Sequence, residues 1–168
     1  MQEVSIYGVS FDMVGKQPIV LLKTLDGNKF LPIWIGHPEA AAILVKLQGS
    51  PTPRPMTHDL VADMLGEMNA QVTKIAVTEL RESTFYAVIT LQVNGSEIDV
   101  DSRPSDALAL AVRTSAPIFV ADQVIDDSAI TSSAAKIGAF TRTASAIASL
   151  GRESISCSSP LARTTIWA

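Results

Sequence analysis

The dipeptide Asn94-Gly95 lies between two runs of residues that alternate apolar and polar, and this leaves the chain few ways to fold. Both residues tolerate positive φ, so the pair specifies a tight hairpin between two strands. Upstream, Phe85, Ala87, Ile89, Leu91 and Val93 alternate with Tyr86, Val88, Thr90 and Gln92. Downstream, Ile98 and Val100 alternate with Glu97, Asp99 and Asp101, the period of a half-buried strand. A further strand over 70–80 precedes the turn Arg81-Glu82-Ser83, which completes an antiparallel meander. A second meander is read over 3–14, 19–25 and 29–35, with turns at Gly15-Lys16-Gln17-Pro18 and Asp26-Gly27-Asn28.

Helical spacing takes over between and after the meanders. Pro38 suits a first helical position and Gly49 a stop, which predicts a helix over 37–48. Its Ala40-Ala41-Ala42 run permits close packing against another element or another subunit. Residues 50–55 carry three prolines at alternate positions and read as a stiff, extended loop. Thr57 is then expected to cap a helix over 57–68 and Ser105 one over 105–115, with Asp59 and Asp106 in the first turns. In the first of these, Leu60, Val61, Met64, Leu65 and Met68 form a stripe expected to be buried, its methionines filling core gaps. A short apolar strand over 116–120 and a short helix within 122–129 follow. The predicted class is α+β: two meanders in a mixed or continuous sheet, with about three packed helices.

A length of 168 residues suits one domain. Charge is unevenly spread. Residues 1–130 hold 9 basic and 16 acidic side chains, a balance of −7, and residues 131–168 hold 4 and 1, a balance of +3. An acidic domain is a poor non-specific nucleic-acid binder, because phosphate contacts supply most of that affinity. This argues against a tight or processive nucleic-acid enzyme and leaves room for a local basic groove, or for carboxylates that hold a metal. Residues 131–168 contain 13 Ser or Thr and 8 Ala, and read as a flexible tail outside a 1–130 domain. A shift of reading frame near residue 131 would leave such a stretch too. The single cysteine, Cys157, excludes an intrachain disulfide. The first residues lack a signal-peptide pattern and no apolar run reaches a membrane span, so a cytoplasmic protein is expected.

The densest chemistry falls at the corner from Glu97 to Ala107. Asp101 and Asp106, with Glu39 or Asp59 at other helix starts, are candidate ligands for a divalent cation, Mg²⁺ or Mn²⁺. The same carboxylates could equally line a wet strand face or satisfy helix amides. His58, beside Asp59, is a candidate general base or orienting group. Arg54 and Arg103 could clamp a phosphate, or pair internally with Asp106 or Asp59. Ser105, at a helix N-terminus, marks the one anion nest. No nucleophile elbow, P-loop or dinucleotide fingerprint occurs.

Three segments share a family likeness: Leu31-Pro32-Ile33-Trp34-Ile35-Gly36 with Glu39-Ala40; Arg54-Pro55-Met56-Thr57-His58-Asp59-Leu60; and the run from Arg103 to Arg113 followed by Ala116-Pro117-Ile118-Phe119-Val120. In this order they resemble the bifunctional nuclease domain family, over roughly residues 2–130. The resemblance implies a metal-dependent nuclease that hydrolyses phosphodiester bonds of DNA and RNA with little base preference, assembled as a homo-oligomer, most simply a dimer. Fitted to that activity, the candidate residues would divide into His58, Asp59 and Asp106 for catalysis, Arg54, Arg103 and Ser105 for substrate binding, and Glu39, Asp101 and Asp106 for holding metal. The rival expectation is a non-catalytic regulatory domain that binds a ligand or a protein, with the charged corner serving as architecture.

Overall fold

The computed structural model describes residues 1–12, 15–27 and 29–131. Residues 13, 14 and 28 of the first meander, and the tail read over 131–168 apart from Thr131, lie outside the described residues. The first meander comprises β1 (Gln2–Asp12), β2 (Gln17–Thr24) and β3 (Lys29–Trp34). Two helices follow, α1 (His37–Leu47) and α2 (Thr57–Glu67). The second meander comprises β4 (Ala70–Arg81), β5 (Thr84–Val93) and β6 (Ser96–Ser102), and leads into α3 (Pro104–Thr114). The described chain closes with β7 (Ile118–Val120), α4 (Asp122–Ser128) and β8 (Ile130–Thr131).

All eight strands form one mixed sheet in the order β6-β5-β4-β7-β1-β2-β3-β8. The α+β class and the two meanders are as the sequence predicts, and β7 is what makes them continuous. It runs antiparallel to β1, with Val4 opposite Ile118, and parallel to β4, with Ile75 opposite Ile118. Asn94 (φ 49°) and Gly95 (φ 84°) adopt the left-handed conformations that the hairpin turn needs. Glu82 and Ser83 repeat this geometry at the preceding turn without a glycine (φ 47° and 62°).

The core lies between the sheet and its helices, with Ile19, Leu22, Ile33, Ile43, Ile75, Leu108 and Ile125 fully buried. Helix α3 is its centre. Ala107, Leu108, Ala109, Leu110 and Ala111 are all buried, and both α1 and α2 pack on this helix. Ala40 and Ala42 of α1 are buried within this packing.

Three local expectations are corrected. Pro104 occupies the first position of α3, which makes Arg103 the N-cap and moves Ser105 to the second helical position, buried. Met56, not Thr57, precedes α2, and the Asp59 carboxylate accepts the Met56 N–H at 2.9 Å in place of a capping hydroxyl. The apolar stripe of α2 is not core: Leu60, Val61, Met64 and Met68 are exposed. The helix meets its neighbours instead through the half-buried side carrying His58, Ala62 and Leu65. Its orientation follows the polar contacts of its first turn rather than its greasiest face. Among the described residues, no helix is long and apolar enough to cross a membrane.

Candidate functional site

The first turns of α1, α2 and α3 converge. Each carries an acidic residue at its third position or a histidine at its second, and their side chains meet at the Arg103 corner. His58 Nε2 lies 3.2 Å from Asp106 Oδ1, with the imidazole side chain 16% exposed. Arg103 grips the same carboxylate with two donors, Nε to Oδ2 at 2.6 Å and Nη2 to Oδ1 at 3.0 Å. Its Nη1 lies 3.2 Å from Glu39 Oε1. These contacts engage three of the five guanidinium N–H donors, and the Arg103 side chain is 66% exposed. Two donors therefore stay available to an incoming anion. Gly36 makes room for Glu39 here: a Cβ at this position would collide with the Glu39 carboxylate.

Electrostatics follow from these contacts. Burial pushes the Asp106 carboxyl upward, but hydrogen bonds from Arg103 and His58 outweigh it, and the group sits below its ordinary value. The Asp106 partnership raises Arg103 further above the ordinary arginine value, with Glu39 adding to it. The helix N-termini add partial positive charge beside this cluster, offsetting part of the charge of Glu39 and Asp106.

A cavity of about 360 Å³ opens at this corner, lined by Trp34, Gly36, Glu39, Phe85, Arg103 and Ser105 among others. Its size is at the lower end of the ~300–1,000 Å³ usual for small-ligand sites. Arg54 is elsewhere. It lines a separate cavity of about 420 Å³ with the proline loop, Lys46, Asp59 and Arg113. Asp59 does not face His58's cluster. It accepts from Arg113 Nε at 2.7 Å, and this hydrogen bond above all holds its carboxyl below the ordinary range despite some desolvation.

The structure thus gathers Glu39, His58, Arg103, Ser105 and Asp106 of the predicted residues, and separates Arg54, Asp59 and Asp101 from them. Asp101 is exposed on edge strand β6. Among the described residues, no group of three or more His, Cys, Asp or Glu is arranged to hold a metal ion. Glu39 and Asp106 both neutralise one guanidinium, so the donor set does not fit a cation held by protein alone.

Two residues escape sequence reasoning. Arg113, 3% exposed, ties three helices through Asp59, Ala109 O and Ala42 O. An arginine at the end of the apolar run 107–112 is the available signal, since a charge carried into the core needs buried partners. Trp34 is the other: it ends β3 half exposed, while its neighbours Ile33 and Ile35 are buried.

An imidazole beside a carboxylate, next to an exposed guanidinium that lines a cavity, brings together on an α+β scaffold groups capable of acid–base chemistry. The chain belongs to the bifunctional nuclease domain family, whose model matches residues 20–133. An uncharacterised protein of Mycobacterium tuberculosis is 40% identical over 125 residues, 74% of each chain. Bifunctional nuclease 1 of Oryza sativa subsp. japonica is 31% identical over 105 residues, and bifunctional nuclease 1 of Arabidopsis thaliana 31% over 107. Those matches take in 60% and 61% of this chain but only 32% and 33% of the plant proteins.

Proposed function

We propose that the chain is a cytoplasmic nuclease that hydrolyses phosphodiester bonds of DNA and RNA with little base preference. The observation that carries this reading is the His58–Asp106–Arg103 cluster, whose Arg103 also lines the cavity of about 360 Å³. Asp106 accepts from Nε2–H and so leaves Nδ1 of His58 as the basic nitrogen. A water oxygen attacks phosphorus as Nδ1 takes its proton. The bond from phosphorus to the leaving oxygen breaks, and the proton passes to that oxygen. The free N–H groups of Arg103 stabilise the charge gathering on the phosphoryl oxygens. Glu39 holds the guanidinium in position, and Asp59 acts at one remove through α2. No step is assigned to Mg²⁺ or Mn²⁺; dependence on either belongs to the test.

The same reading makes the protein a homo-oligomer, most simply a dimer. The exposed Leu60, Val61, Met64 and Met68 of α2 supply an apolar contact.

A second reading, a non-catalytic regulatory domain that binds a ligand or a protein, is favoured by one observation. Glu39, Asp59 and Asp106 each already face an arginine.

The deciding experiment is cleavage of single-stranded and duplex DNA and RNA by purified protein, with Mg²⁺, Mn²⁺ or EDTA, beside folded His58→Ala and Asp106→Asn variants. Cleavage that falls at least about a hundredfold in His58→Ala supports the nuclease. Equal cleavage by wild type and His58→Ala refutes this site. No cleavage by any form gives the regulatory reading.

A further inference from the structure

Among the described residues, no ring-stacking or cation–π partner accounts for Trp34. Its backbone pairs with Ile19 in the sheet, yet half of its surface is exposed. Among the described residues, the ring contacts are Tyr7 with Phe30 and Phe11 with His37, and none involves the indole. The indole is therefore half exposed with no stacking partner among the described residues, and Trp34 lines the same cavity as Arg103 and Glu39. Ile33, Ile35 and Phe85 extend the apolar lining, while Gln17, Ser83 and Thr84 stand at its exposed rim.

We infer that Trp34 is a stacking platform for one unpaired base of a nucleic-acid strand whose phosphate meets Arg103, so that the protein takes single strands in preference to duplex. This deepens the nuclease reading and rests on it for the identity of the ligand. A base inside a duplex has both faces covered, and a cavity of about 360 Å³ has no room for a helical segment. Only a base already out of the stack presents a face to the indole. The rim residues fit a tolerant site. An amide and two hydroxyls can each donate or accept, so no one base edge is selected.

Charge points the same way. Residues 1–130 carry a balance of −7, and Arg103 stands between two carboxylates. Few phosphates can be neutralised, so backbone contacts alone give weak affinity. An aromatic face holds any base through its π-face and releases no counterion in doing so. Stacking supplies what this acidic surface lacks, and binding should depend on ionic strength only weakly.

The test uses the full chain with Trp167→Phe, so that tryptophan fluorescence reports Trp34 alone, and with His58→Ala to stop cleavage. Twelve-nucleotide single strands of thymidine or of adenosine nucleotides, and a duplex of equal length, are titrated in. Both single strands should quench the fluorescence, and the duplex should bind at least about tenfold more weakly. Anisotropy of a labelled strand should show Trp34→Ala losing about ten- to a hundredfold in affinity and Trp34→Phe keeping most of it. Equal quenching by duplex, or a folded Trp34→Ala variant that binds like its parent, overturns the platform. The two readings fail separately. Wild-type cleavage with unchanged binding and cleavage in Trp34→Ala sinks the platform and spares the nuclease. Quenching by single strands in a protein that never cleaves sinks the nuclease and keeps Trp34 as a binding site.

Discussion

Replacing Asp59 with alanine should loosen the packing of α2 on α3 and lower the stability of the whole domain. The carboxylate makes two contacts that alanine cannot: the Arg113 Nε–H at 2.7 Å and the Met56 N–H at 2.9 Å. The first is a hydrogen bond between charged groups, with the Arg113 side chain 3% and that of Asp59 25% exposed, so solvent screens it little. It is worth about 2 kcal/mol, and the helix-start contact about 1 kcal/mol more. Arg113 keeps two carbonyl acceptors, Ala109 O and Ala42 O, which spares the full penalty of an orphaned charge. The expected loss is about 3 kcal/mol at pH 7, a fall in Tm of about 10 °C for a domain of this size. It should depend on pH with a definite sign. The folded pKa of Asp59 is depressed by Arg113, so its stabilisation is complete above the unfolded value, about 3.9, and is lost as pH falls through the folded value. The gap between wild type and variant should therefore narrow below about pH 4. Urea unfolding at pH 7 and pH 3 measures both effects. Adding Arg113→Met completes a double-mutant cycle, with coupling expected at about 1.5 kcal/mol. A loss below about 0.5 kcal/mol at pH 7, or a gap unchanged at pH 3, would refute the clamp.

Other perturbations probe other parts of the molecule. Ser83→Gly should stabilise by about 0.5–1 kcal/mol, seen as a raised urea midpoint, because Ser83 holds φ 62° and glycine does so without strain. Leu108→Ala, at a fully buried site, should destabilise by about 2–5 kcal/mol in the same assay. Arg103→Lys replaces two-point contact with Asp106 by a single charge, and should lower strand cleavage at least about tenfold while leaving Tm nearly unchanged. Met64→Glu should convert an oligomer to monomer by light scattering with the fold intact, and an unchanged mass would remove α2 from the interface.

Local features were legible from the residues themselves. Asn94-Gly95 specifies its hairpin within two residues, and the Arg103–Asp106 pair follows from a three-residue spacing at a helix start. Errors arise where distant partners decide. Arg113 and Asp59 are 54 residues apart, so no local pattern links them, yet their contact helps set which side of α2 faces inward. A stripe of Leu60, Val61, Met64 and Met68 reads as buried by periodicity alone. At α3, Pro104 displaces Ser105 from the cap because proline's fixed φ and missing N–H suit the first helical position better than serine does. Glu39 reaches Arg103 across 64 residues, and only the packing of α1 on α3 brings it there.

The three-residue strand β7 also dictates an order of assembly. Each meander has local pairings and can form as its own hairpins close, but the strand that joins them is made late, at residues 118–120. Val4 must wait for Ile118, a loop closure of 114 residues, before the edge of β1 is covered. During synthesis, β1 and β4 therefore present open edges that can pair with each other's copies on neighbouring chains. A chain cut short before Ile118 would keep both edges for good. It would be prone to aggregate even with every residue of the Arg103 corner in place.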